Sequence, residues 1–180
     1  MLQFIYKIDE TILFFIQEDL HFEILNKVMI AVTFLTNGGM IWAALALALV
    51  IIKKTRKIGV VLIAALIFST ITGEFVLKNI IQRPRPYADY TNIKLLIDES
   101  SKYSFPSGHA TVSFAAAFVL SKGFKKLSLV FYCFAVIVGF SRVYLFMHYP
   151  TDVLAGILLG LFCGAIVMLA SEKIIKKRYK

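Results

Sequence analysis

Residues 57–86 read KIGVVLIAALIFSTITGEFVLKNIIQRPRP, and this stretch decides the fold. Its apolar part is long enough, at ~1.5 Å per residue, to cross a hydrocarbon core of ~30 Å as one helix. Lys78 then interrupts it, and the run stops at Arg83-Pro84-Arg85-Pro86. The prolines end a helix and hold the next segment extended. Lys78 follows Glu74 by four residues, so the two can pair across one turn. Cations at the edge of a membrane-length run are costly unless they are used.

The same pattern recurs along the chain. Of its 180 residues 59% are hydrophobic, too many for an ordinary soluble domain of this size. The other apolar runs are roughly 39–53, 107–122, 125–145 and 150–172. Those at 39–53 and 107–122 are short and need help from flanking residues or local thinning of the bilayer. Residues 3–17 mix Ile5, Ile8, Ile12 and Phe15 with Lys7, Asp9, Glu10 and Gln17, the pattern of an interfacial amphipathic helix. Those charges also break any clean signal-peptide core, and no removable leader is read. Residues 22–36 read as an interfacial or re-entrant helix, with a sixth span as the alternative.

The expected architecture is therefore an all-α, integral-membrane helical bundle. It has about five transmembrane helices, six at most, and an N-terminal interfacial amphipathic helix. All of 1–180 forms one domain: interfacial or re-entrant helices over 1–36, the catalytic bundle over 37–172 and a basic tail over 173–180. Cys133 and Cys163 lie inside apolar runs and read as packed thiols, not a disulfide or metal pair.

The net charge of +9 is a matter of topology, not of nucleic-acid binding. Basic residues gather at 53–57, at Lys122, Lys125 and Lys126, and at 173–180. If each of the five runs crosses once, all three groups fall on one side, which the positive-inside rule makes cytoplasmic. The opposite side is then the outer face of a bacterial plasma membrane. It receives Lys78 and Arg85-Pro86, then Pro106-Ser107-Gly108-His109, and finally Ser141-Arg142 with His148 and Asp152.

Each cluster alone has an ordinary explanation: a snorkelling lysine, a capping serine, an acid on a helix dipole. Convergence on one face favours a joint role. Ser107 opens a helix whose free N–H groups attract an anion, and Gly108 lets a ligand approach the backbone. Arg142 suits phosphate oxygens, and with Lys78 and Arg85 it makes three fixed cations. Asp152 lies one turn past His148 and can accept from its Nδ1, leaving Nε2 free as a nucleophile. His109 in the first turn can protonate a leaving oxygen. No carboxylate cluster of the kind that holds magnesium is read, and the cations can take its place.

Gly156, Gly160 and Gly164 recur every fourth residue on the last helix and make a smooth face. Packing within the monomer is favoured over a dimer contact. Loop 87–103, with Asp89, Lys94, Asp98, Glu99 and Lys102, is polar; it could gate the site, but its composition says only that it is a polar loop.

Together the clusters resemble the type 2 phosphatidic acid phosphatase superfamily of membrane lipid phosphatases. Its signature reads K-x6-R-P, P-S-G-H and S-R-x5-H-x3-D, and every position is present in order between residues 78 and 152. The resemblance implies a helical bundle with its site at the outer leaflet. It implies a phosphohistidine on His148 oriented by Asp152, with His109 as acid to the leaving group. Phosphate contacts would come from Lys78, Arg85, Ser107, Gly108 and Arg142, with no metal or other cofactor. Soluble vanadium haloperoxidases share the signature, but the membrane-length runs speak against that reading. The chain looks closest to small bacterial members acting on undecaprenyl diphosphate or phosphatidylglycerophosphate. Undecaprenyl diphosphate is the first expected substrate; a phosphatidylglycerophosphate or phosphatidate is the alternative. A reading of another class is a protein that binds or transports a lipid phosphate without hydrolysis, for which the two histidines and Asp152 would be superfluous.

Overall fold

The computed structural model describes residues 2–90, 92–98 and 101–178. Among these there is no strand, only an isolated bridge between Pro84 and Tyr103. The helices are α1 (Leu2–Asp19), α2 (Glu23–Leu35), α3 (Met40–Ile51), α4 (Arg56–Thr70), α5 (Lys78–Ile81), α6 (Pro86–Asp89), α7 (Gly108–Gly123), α8 (Ser128–Tyr144) and α9 (Pro150–Arg178). The integral-membrane helical bundle expected from the sequence is the fold observed.

Three continuous helical stretches are long and apolar enough to span a membrane: Arg56–Ile81, Lys125–Tyr144 and Pro150–Lys173. A fourth arises if Glu23–Leu35 and Asn37–Ile51, bent by 45°, act as one broken span. The break is local. Gly38 and Gly39 both adopt positive φ, at 57° and 73°, where other residues are strained. Residues 22–36, expected as interfacial or re-entrant, thus form the first limb of a broken span or a re-entrant hairpin. Helix α7, expected to cross, has 16 residues. It reaches only ~24 Å at ~1.5 Å per residue.

Helix α7 is the centre of the bundle, packed against α4, α8 and α9. Its Ala110, Ala115, Ala116 and Ala117 are wholly buried, and such small side chains let the neighbouring helices approach closely. The glycine stripe of α9 faces it. A Cβ on Gly156 would lie 2.7 Å from the Ser107 carbonyl oxygen, and one on Gly160 would overlap the Thr111 carbonyl oxygen. The stripe is thus an internal contact that brings the start of α9 beside the start of α7. Bulky apolar side chains such as Phe75, Ile80, Leu129, Leu158 and Phe162 point outward, as a bilayer-facing surface requires.

Helix α1 is amphipathic, but one of its acids is on the inner side. Leu13, Ile16 and Asp9 are all buried, and the helix packs on α8 and α9. The sequence reading counted Asp9 with the polar face. Its burial follows from partners far along the chain, described below. Loop 87–103 also packs inward, with Tyr87, Tyr90, Ile93, Leu95 and Ile97 against the core. Glu99 of that loop and Lys180 of the tail lie outside the described residues. Both cysteines are free thiols; Cys163 is buried and Cys133 is exposed on α8.

Candidate active site

The α4 stretch does not run on as a plain α-helix to Ile81. Ile71–Leu77 is a π-helical segment, a local widening often found at functional sites. It presents Glu74, and Lys78 Nζ donates to both Glu74 oxygens at 2.7 Å. Lys78 is buried, so it does not snorkel to the interface. Gln82 in the left-handed region ends α5, and Arg83-Pro84-Arg85-Pro86 turns the chain back over the bundle.

Five of the expected residues line one cavity of about 240 Å³: Lys78, Arg85, Gly108, His109 and His148. Thr36, Gly38, Gly39, Thr70, Glu74 and Ser101 complete much of its wall. Residues of all three clusters thus share one space, but Ser107, Arg142 and Asp152 are not among those that line it. At Gly108 the Glu74 carboxylate packs where a Cβ would stand, so glycine is required for this close approach.

Ser107 occupies the N-cap position of α7 but makes no capping hydrogen bond through its side chain. Its hydroxyl oxygen is buried without a hydrogen-bond partner, as is His109 Nε2. Buried polar atoms left this way are costly. The Ser107 backbone is held by its N–H to the Asp152 carbonyl oxygen at 3.0 Å, which ties the second motif to the third.

Arg142 is buried at the end of α8. Its carbonyl accepts from the backbone N–H groups of Met147 and His148 at 3.0 and 3.1 Å, closing the tight turn that aims the histidine inward. Its Nη1 lies 3.5 Å from Thr33 Oγ1, and Thr33 and Ser141 hydroxyls pair at 2.9 Å, so α2 braces this corner.

His148 is buried, with Nε2 3.4 Å from Arg85 Nη1, which also donates to the Met147 carbonyl at 3.1 Å. Burial, then Arg85, Arg142 and Lys78, push its pKa well below the ordinary histidine range. The expected hydrogen bond from Nδ1 to Asp152 is not formed: Nδ1 is 3.7 Å from Oδ2. The reason is competition for the carboxylate. Asp152 Oδ1 accepts from Arg83 Nη1 at 2.7 Å, and Oδ2 accepts from the Tyr149 backbone N–H at 2.9 Å. The second contact is the reach-back half of a capping box at the start of α9.

Arg83, Asp9 and Thr151 escaped the sequence reading. Arg83 Nη2 pairs with Asp9 Oδ2 at 2.8 Å, while Asp9 Oδ1 accepts from the Thr151 N–H at 2.9 Å. The Arg83 guanidinium lies 3.9 Å from the centre of the Tyr149 ring. Burial works against its charge, but Asp152 and Asp9 more than compensate and raise its pKa. One signal was available: Asp9 sits among Ile5, Ile8 and Ile12, where an acid needs a partner.

The PAP2 superfamily profile matches residues 54–176, most of the chain, and the chain belongs to that superfamily of phosphatases. It is an integral-membrane lipid phosphatase, a hydrolase of the PAP2 type. It is 36% identical over 157 residues to an undecaprenyl-diphosphatase of Sulfolobus acidocaldarius, covering 85% of this chain and 74% of the relative. Its fold matches that of Aquifex aeolicus LpxE with a TM-score of 0.76 at 28% identity, over 88% of this chain and 93% of that one. It matches a transmembrane PAP2-type phosphatidylglycerolphosphate phosphatase of Bacillus subtilis with a TM-score of 0.75 at 30% identity, over 94% and 87%.

Proposed function

We propose that this phosphatase cleaves a lipid diphosphate, first of all undecaprenyl diphosphate, through a phosphohistidine on His148. The observation that carries the reading is the shared cavity: His148, His109, Lys78, Arg85 and Gly108 line one space of about 240 Å³, with room for a phosphate group. Similarity to the Sulfolobus enzyme supports the substrate.

In the first step His148 Nε2 attacks the terminal phosphorus, and the bond to the bridging oxygen breaks. His109 gives that oxygen its proton, and the lipid monophosphate leaves. In the second step water attacks the phosphohistidine, His109 takes the water proton, and inorganic phosphate leaves with Nε2 restored. Lys78, Arg85 and Arg142 neutralise charge on the transferring group, and the N–H groups at the start of α7 add to them. The Ser107 hydroxyl supplies a further donor. These fixed cations do the work a metal does elsewhere. With substrate in place Asp152 closes its 3.7 Å separation from Nδ1 and then holds the His148 ring.

The outward orientation rests on charge. Basic residues sit at the start of α4 and the end of α7, at the far ends of those helices from Lys78 and His109. By the positive-inside rule the site then faces the periplasm or exterior. A phosphatidylglycerophosphate is the second reading, favoured by the likeness to the Bacillus subtilis enzyme. The test is phosphate release by pure protein in detergent from undecaprenyl diphosphate, phosphatidylglycerophosphate and phosphatidate in competition. Preference for the first supports the proposal. Preference for either of the others replaces the substrate, and no release from any points to a non-hydrolytic binder.

A further inference from the structure

We propose that Arg83 and Asp9 are positioning residues for the reaction, acting through Asp152, and that helix α1 thereby forms a working part of the site. The inference rests on the reading of His148 as nucleophile. Its basis is a continuous buried chain of contacts. Asp9 and Asp152 are both wholly buried. Arg83 bridges them, with Nη2 on Asp9 at 2.8 Å and Nη1 on Asp152 at 2.7 Å. The guanidinium is planar and stiff, and Tyr149 and Tyr6 lie 3.9 and 5.1 Å from it by their ring centres.

Asp9 does more than neutralise Arg83. It accepts from the Thr151 N–H and the Thr151 hydroxyl, so it also caps the first turn of α9 beside Asp152. The Thr151 hydroxyl in turn accepts from Arg83 Nη1 at 2.8 Å. The first turn of α9 is therefore fixed at three points, and Asp152 Oδ2, which accepts from the Tyr149 N–H, is set 3.7 Å from His148 Nδ1. A carboxylate held by a guanidinium on one oxygen can orient an imidazole with the other. The 18-residue helix α1 lies outside the 54–176 region that matches the superfamily profile, yet it supplies the anion at the base of this chain.

The test uses the full-length protein in detergent: wild type, Asp9→Asn, Arg83→Lys, Asp152→Asn and the Asp9→Asn/Asp152→Asn pair. Asp9→Asn keeps the shape of the side chain and removes its charge. If it acts through Asp152, it lowers kcat roughly ten- to hundredfold with KM changed less than about twofold, as small misplacements of reacting groups do. In the Asp152→Asn background the same change lowers kcat less than about twofold. Arg83→Lys keeps the charge but not the fork and falls between wild type and Asp9→Asn. An equal loss in both backgrounds, or one that tracks the melting temperature, overturns the proposal. A second readout does not need turnover: ¹⁵N signals of the His148 ring, identified by their loss in His148→Ala, shift in Asp9→Asn while those of His21 stay. Unmoved His148 signals overturn the proposal. Full activity in His148→Ala would instead refute the nucleophile, and the ring signals would still decide the positioning role.

Discussion

Arg85 Nη1 stands 3.4 Å from His148 Nε2. A guanidinium has only donors, so the imidazole nitrogen facing it is the one with the lone pair. This contact favours the proton on Nδ1, which lies 3.7 Å from Asp152 Oδ2. That is the tautomer a nucleophilic Nε2 needs, and it is set by the first and third motifs together.

The first prediction concerns pH. Burial and the cations Arg85, Arg142 and Lys78 lower the His148 pKa, so acid must go well below about 6.5 before the ring protonates. The ring therefore stays a competent nucleophile through that range, and its protonation stops attack only at lower pH. Titration of the His148 ring by NMR is expected to show a midpoint below 6.5, and Arg85→Gln is expected to raise it. A midpoint above the ordinary value in the wild type would contradict the account.

Arg142→Ala is expected to lower kcat by roughly 10²–10³ if its charge stabilises the transition state. Steady-state kinetics on a lipid phosphate measure this. A change confined to KM would mean that Arg142 binds ground and transition states equally.

Gly160→Ala is expected to destabilise the bundle by about 1–3 kcal/mol, because the new methyl meets the Thr111 backbone oxygen, which cannot turn aside. Thermal unfolding in detergent measures the change. Gly108→Ala pushes the Glu74 carboxylate from its place beside Lys78, so it is expected to lower activity, measured as kcat on a lipid phosphate.

Turnover is expected to survive EDTA, since Lys78, Arg85 and Arg142 supply the fixed positive charge. Activity lost to the chelator and restored by magnesium would show that these cations do not suffice.

The site was legible because phosphate chemistry demands rare groups in an apolar chain. Lys78, Arg85, His109, Arg142, His148 and Asp152 each interrupt or edge a greasy run, and the loop charges assign all of them to one expected face. The fold was legible for the same reason: runs such as 57–82 can do little else in water-free surroundings. The break at Thr36-Asn37-Gly38-Gly39 was legible as well, but the 45° bend between its two limbs depends on backbone angles and was hidden. The partners of Asp152 depend on a contact between residues 9 and 83, a separation over which spacing carries no information. Arg83 therefore shows in the sequence only as part of the Arg83-Pro84-Arg85-Pro86 stop, and the spacing predicts a His148–Asp152 hydrogen bond where competing donors hold the carboxylate away.

The central claim is that phosphate passes through His148. The direct measurement is to mix the enzyme with undecaprenyl diphosphate carrying ³²P in its terminal phosphate, quench in alkali within the first turnover, and locate the label by mass spectrometry. The account predicts an acid-labile, alkali-stable phosphate on His148, absent in His148→Ala, which keeps its fold and loses turnover. Label on another residue, or substantial turnover by His148→Ala, would contradict it.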